Sequence, residues 1–331
     1  MALRFLWQAW TPPTDPQTSF KNKTVIVTGA NTGLGYAAAA KFAALHAELV
    51  ILGVRDVAKG EKAQQSINSL TGGKSRLEVW PLDMNSYDSI QAFAARAVRL
   101  EQLNVVVLNA GVYMVRYEKS PYGWEETLQV NVLSTALLGL LLLPVLKASS
   151  GASDGLPVLE IVASENYERA HVSAARDQLL ANYNAAMGYN SSNQYYVSKL
   201  FVMYVMQTLA SLAEASHATN RKPEVLVTAV CPGGCKSELS RGYNGYMAIA
   251  FKAVFGALFL RTAEQGARSL VSGVLLGEEA HGRLWQHDRL RPLAPLVSGE
   301  QGELLRRKVW SEIVEALKDV PAVMDTIAGL E

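Results

Sequence analysis

The order of apolar and polar positions along the chain predicts strands and helices in alternation. Residues 24–28, TVIVT, form a short β-branched run; a glycine-rich turn follows, and residues 36–47 then carry an alanine-rich helical stretch. The alternation continues with strands expected at 48–53, 76–82 and 105–108 and helices at 57–70 and 86–100. Beyond these the pattern predicts an apolar helix at 132–146, a strand at 158–163, a helix over about 193–214, a strand at 225–230 and a last strand, at the sheet edge, at 283–286. Val105-Val106-Val107-Leu108 is apolar at every position, as a strand covered by helices on both faces requires. Short connections between alternating elements predict an α/β fold with a doubly wound parallel sheet of about seven strands.

Composition narrows this picture without changing it. With 49% hydrophobic and 18% charged residues the 331-residue chain has ample apolar surface for a core and is no disordered segment. Lys and Arg number 31 against 30 Asp and Glu, a net charge of +1 that lacks the cationic excess a nucleic-acid partner calls for. Two cysteines, Cys231 and Cys235, are too few for a disulfide framework, and five scattered histidines form no ligand motif, so no metal site is expected. No repeat or low-complexity linker divides the chain. A single domain is expected, with an N-terminal arm at 1–20, a main body at 21–290 carrying a lid segment at about 240–262, and a C-terminal extension of the same domain at 291–331.

Two apolar stretches bear on location. Residues 132–146 fall short of the roughly 20 residues of a membrane span and contain Pro144, which makes a buried helix the better reading. Residues 246–260 carry Lys252 and read as a lid, a pocket wall or an interfacial helix that touches a membrane surface. The N-terminal residues 1–13 lack a secretory pattern, so a cytoplasmic protein is expected.

The first chemical motif is Thr28-Gly29-Ala30-Asn31-Thr32-Gly33-Leu34-Gly35, set between a strand and a helix. Gly29 permits a tight turn, Gly33 lets the backbone approach a pyrophosphate, and Gly35 allows close helix packing, while the helix N-terminus offers oriented N–H groups to the anion. An NAD site would place an acidic residue about 20 positions further on. Here Val54 is followed by Arg55, a guanidinium suited to the 2′-phosphate of NADP(H), and then by Asp56, which pairs with Arg55, caps the next helix or meets a ribose.

The second motif is Tyr195-Tyr196-Val197-Ser198-Lys199. Tyr195 and Lys199, four apart, share a helix face, so the ammonium is expected to lower the phenol pKa from its usual value near 10 and make Tyr195 a usable acid. Ser164 at a strand end, Asn131 at the start of the apolar helix and Asn109-Ala110-Gly111 at another strand end all fall on the rim where such sheets bind ligands.

With Pro232-Gly233 after the sixth strand, these motifs in this order resemble the short-chain dehydrogenase/reductase family over about residues 21–288. The resemblance implies a Rossmann-type fold and assigns Tyr195 as general acid/base, Lys199 to the nicotinamide ribose, Ser164 to the substrate carbonyl, and Asn131 to a water linking Lys199 with solvent. It also implies that Asp83 lies near the adenine, Asn109 on the cofactor path, and Ser237 where the family usually has Thr, facing the carboxamide. Ala163 stands where a second serine is common, which leaves Ser173, Ser191 and Ser192 as alternative hydroxyls. Arg55-Asp56, the long gap from Ser164 to Tyr195, and His281-Gly282-Arg283-Leu284-Trp285 look most like the NADP-dependent retinol-dehydrogenase-like branch, which also holds many fungal pathway reductases.

The implied activity is NADPH-dependent reduction of a small lipophilic ketone or aldehyde, in the narrower reading a step of fungal natural-product biosynthesis. Alternatives are an NADP-dependent alcohol dehydrogenase of retinol or steroid type, and an NADP-binding regulatory protein without turnover. The pocket walls are expected from residues 112–124, 165–192 and 240–260. Family members often dimerise through the helices represented here by residues 132–146 and 194–213; the tail at 299–331 is an alternative cover for that surface.

Overall fold

A computed structural model describes residues 10–151, 155–173, 177–214, 222–236 and 260–330. Eight strands, β1 (Thr24–Thr28), β2 (Leu49–Val54), β3 (Arg76–Pro81), β4 (Val105–Leu108), β5 (Val158–Val162), β6 (Leu226–Val230), β7 (Leu284–Gln286) and β8 (Arg289–Arg291), form one sheet. Their order is β3-β2-β1-β4-β5-β6-β7-β8, parallel throughout except for the antiparallel β7–β8 pair. The order reverses between β1 and β4, which opens a crevice at the carboxyl ends of the strands.

Helices α1 (Gly33–Ala44), α2 (Val57–Thr71) and α7 (Ala263–Gly273) cover one face; α3 (Tyr87–Ala97), α4 (Glu126–Ala148) and α6 (Ser191–Leu212), the last preceded by the short α5 (Leu179–Tyr183), cover the other. The strands are apolar at successive positions because each face has its own core. Val25, Val27, Val105 and Val107 pack toward α1, while Ile26, Val106 and Leu108 pack toward α4 and α6.

The strand expected at the edge is interior: β8 lies outside β7. The two are joined through His287 and Asp288, both at positive φ (53° and 55°), the backbone a two-residue turn of this hand demands. Asp288 also accepts hydrogen bonds from the Thr14 N–H and hydroxyl, at 2.7 and 2.8 Å, so the hairpin anchors the N-terminal arm.

The apolar stretch at 132–146 begins earlier than its pattern suggests. Helix α4 starts at Glu126 and contains a π-helical turn, Gln129–Ser134, around Asn131. Its apolar window is almost wholly buried inside the molecule, as expected of a core helix.

The C-terminal extension forms α8 (Gly299–Leu317), against α6, and α9 (Pro321–Leu330), against α4. Leu305, Val309, Ile313 and Leu317 of α8 and Val323 and Leu330 of α9 are buried in the same core as the helices they cover. Arg306 donates to the Thr208 hydroxyl at 3.1 Å. The Tyr204 hydroxyl donates to the Leu296 carbonyl at 2.6 Å. The C-terminal helices thus occupy the outward surface of the two helices that the resemblance had offered for dimerisation. Ser237 and residues 240–259 of the expected lid lie outside the described residues.

Candidate active site

A cavity of about 1000 Å³ opens at the carboxyl ends of the strands. At one end it is built from backbone. Gly29 and Gly33 have φ of +66° and +58°, a region that admits glycine without strain. A Cβ at Gly35 would stand 2.4 Å from the Gly29 carbonyl and 2.5 Å from the Asn109 side-chain amide, so α1 and the turn close on each other only with glycine there. Thr32 makes no side-chain cap, which leaves the first-turn N–H groups of α1 to serve an anion at the cavity wall formed by Asn31, Thr32, Gly33 and Leu34.

Thr28, quoted in the motif but given no role by the sequence, locks this end. Its hydroxyl accepts from the N–H groups of Asn109 and Ala110, both at 2.9 Å, and its carbonyl accepts from the Asn109 amide at 2.8 Å. The ends of β1 and β4 are therefore tied directly beneath the turn. Arg55 and Asp83 line the same region, and Arg55 is exposed. Asp56 takes one of the three roles left open for it: its carboxylate accepts from the Lys59 N–H at 3.1 Å and caps α2, a bond that holds the carboxyl below its ordinary value.

At the other end side chains converge. Tyr195, Lys199 and Ser164 line the cavity together with Gly111, Pro232 and Gly233, whereas Gly35 and Asn131 lie behind its wall. Ser164 caps the 3-10 turn Glu165–Arg169 by accepting from the Asn166 N–H at 3.3 Å, so its own hydroxyl proton remains for another acceptor. Of the alternative hydroxyls, those of Ser191 and Ser192 lie 3.3 and 3.0 Å from the Tyr113 hydroxyl, and Ser173 lines a separate shallow cleft.

Lys199 donates to the Val162 carbonyl at 2.8 Å, and its ammonium sits 5.8 Å from the Tyr195 ring centre. Burial pushes the Tyr195 phenol above its usual range, with a Ser164 hydrogen bond pulling the other way, and burial brings Lys199 down to about 8. The expected depression of the phenol by the ammonium is not found: burial sets the direction of the shift at each group. Asn131 accepts from the Val112 N–H at 2.8 Å and donates to the Val112 carbonyl at 2.9 Å and the Ser198 hydroxyl at 3.1 Å. From within the π-helical turn its amide braces the loop after β4 against α6.

Cys231 behaves as a packing residue. Its sulfur accepts from the Glu165 N–H and the Gln286 amide, both at 3.3 Å, and burial raises the thiol to about 11. No group of metal-ligating side chains occurs among the described residues.

The comparisons with known proteins agree with this geometry. Residues 23–154 match the family model described as short chain dehydrogenase. The chain is 42% identical to "Short-chain dehydrogenase/reductase ffsI" of Aspergillus flavipes, over 95% of this chain and 91% of that protein. It is 37% identical to "Short-chain dehydrogenase/reductase phmF" of Phaeosphaeria nodorum, over 97% and 95%. A short chain dehydrogenase of Shigella flexneri solved in complex with NADP superposes with a TM-score of 0.56, covering 83% of this chain and all of that one, at 23% identity.

Proposed function

The chain belongs to the short-chain dehydrogenase/reductase family, oxidoreductases acting on CH–OH and C=O groups, and we propose that within it this protein is an NADPH-dependent reductase of a lipophilic ketone or aldehyde. The observation that carries the reading is the meeting of Tyr195, Lys199 and Ser164 at one end of a cavity whose other end is a glycine-rich, uncapped helix start beside Arg55.

When bound, NADPH supplies the hydride; the residues of the chain supply position and a proton. Gly29 to Gly35 would cradle the pyrophosphate, and Arg55 would meet the 2′-phosphate. NADP(H) rather than NAD(H) is supported by the commitment of Asp56 to capping α2 and by the NADP complex of the Shigella neighbour. Tyr195, protonated at neutral pH and more firmly so for its burial, would donate the phenol proton to the oxygen of the substrate, and the Ser164 hydroxyl, hydrogen-bonded to Tyr195 in this structure, would turn to that oxygen. Lys199 is assigned to the nicotinamide ribose. The substrate wall of Tyr113, Met114, Val115, Tyr196 and Leu260 suits an apolar or aromatic carbonyl compound. Likeness to proteins of two fungi supports a place in fungal natural-product biosynthesis, and the burial of α4 is that of a core helix rather than a membrane span.

Replacing Tyr195 by Phe removes the proton donor and nothing else of size. Turnover of NADPH with a carbonyl panel should drop by about a thousandfold, while NADPH binding, read by its fluorescence, stays as in the parent. Activity retained by purified Tyr195→Phe contradicts the assignment.

A further inference from the structure

The catalytic end of the cavity is held by a charge that the motifs do not include. Glu125 is wholly buried, and among the described residues the contacts of its carboxylate are to hydrogen-bond donors rather than to a cation. One oxygen accepts from the Thr127 hydroxyl at 2.8 Å and lies 3.1 Å from the Tyr189 hydroxyl. The other accepts from the Leu128 N–H at 3.1 Å and the Gln194 amide at 2.6 Å. A buried carboxylate costs several kcal/mol to desolvate, so it persists only where its donors are organised around it.

These donors come from two separate segments. Thr127 and Leu128 open α4, and Tyr189 and Gln194 precede Tyr195 at the start of α6. The second proton of the Gln194 amide goes to the Tyr183 carbonyl at 2.9 Å, which fixes that side chain from both sides. The Tyr189 hydroxyl also lies 2.8 Å from the Met114 carbonyl, so the same cluster reaches the loop after β4. On that loop Tyr113 stacks obliquely on Tyr195, ring centres 5.2 Å apart, with its hydroxyl against Ser191 and Ser192.

We infer that Glu125 is a positioning residue: acting through Gln194 and Tyr189, it sets the first turn of α6, and with it Tyr195 and the Tyr113 wall, at the geometry that proton transfer requires. The catalytic consequence rests on the reading of Tyr195 proposed above. Cofactor binding is not its task, because the cradle around Gly29 and Gly35 is tied by Thr28 and Asn109 instead.

The test uses the full-length protein and two variants. In Glu125→Gln one acceptor oxygen becomes a donor facing other donors; in Gln194→Leu the same link is cut while Glu125 keeps its other partners. Hydrogen–deuterium exchange over residues 191–199 should quicken about tenfold in either variant, with exchange in β1 and α1 unchanged. With menadione as the probe carbonyl, kcat should fall about tenfold, and the Kd for NADPH should stay within about twofold of the parent. The double variant should lose no more than the worse single one, since both cut one linkage. Unchanged exchange at 191–199, losses that multiply in the double variant, or a general loss of protection that includes β1 would each overturn the inference. If the parent does not reduce menadione, the reductase reading fails on that probe, and the exchange arm still decides the role of Glu125.

Discussion

The two ends of the cavity are built on different principles. The glycine-rich end is almost all main chain: turns at positive φ, an uncapped helix start, and one threonine that ties two strands together. The end proposed to be catalytic is almost all side chain, assembled from residues as far apart as Tyr113, Glu125, Ser164 and Tyr195, with Lys199 and Tyr195 both stripped of water. A main-chain site tolerates nothing that adds a Cβ; a side-chain site depends on neighbours that may stand far away in the chain. The two should therefore fail separately, one in cofactor affinity and the other in turnover.

The sharpest way to break this contrast is Gly35→Ala. The added methyl meets a backbone carbonyl that cannot rotate away, and a strain of up to about 3 kcal/mol corresponds to about a hundredfold weaker NADPH binding. Titration of NADPH fluorescence checks this; affinity within the error of the parent would mean that the turn is not the cradle. A smaller effect is expected from Arg55→Ala. Loss of an exposed charge-assisted contact should raise the KM for NADPH about tenfold and leave that for NADH alone, so equal changes for both cofactors would remove Arg55 from the 2′-phosphate.

The mildest effect is a pH limb at the catalytic end. Lys199, lowered by burial to about 8, loses its proton above that pH, and the reductive rate should decline there. Lys199→Arg stays charged and should lack that limb even if its rate is lower throughout. Stability runs the opposite way: a buried lysine with a depressed pKa binds fewer protons folded than unfolded, so the fold should gain stability between about pH 8 and the ordinary lysine value of 10.5. Rate and melting profiles collected over one pH series separate the two.

The legible parts of the sequence were those whose physics is local. Strands at 105–108 and 24–28 appear with the same bounds in the structure, because a short run of β-branched residues covered on both sides leaves little alternative. The Gly29 to Gly35 turn was legible for the same reason: one stretch of chain makes the whole feature. Strand β8 was missed because three residues, two of them arginines, show no strand periodicity; its pairing depends on the backbone of His287 and Asp288. Glu125 was missed because the apolar pattern begins its helix only at 132, which leaves this glutamate in a loop, whereas in the structure it caps the helix that starts at Glu126. Two of its donors, Tyr189 and Gln194, lie more than 60 positions away. The phenol pKa was misjudged in direction because spacing on a helix reveals a neighbouring charge but not how much water both groups have lost.

The hold that α8 exerts on the substrate side carries a consequence for how the molecule is made. Glu312 accepts from the N–H groups of Leu179 and Leu180 at 2.8 and 2.7 Å, and Lys308 reaches Asp177 at 2.9 Å, so the segment ahead of Tyr195 is pinned by residues near the end of the chain. Translation delivers β1, α1 and the proposed nucleotide cradle well before these clamps. A nascent chain still attached to the ribosome can thus gain a place for its coenzyme well before it gains a finished reaction chamber.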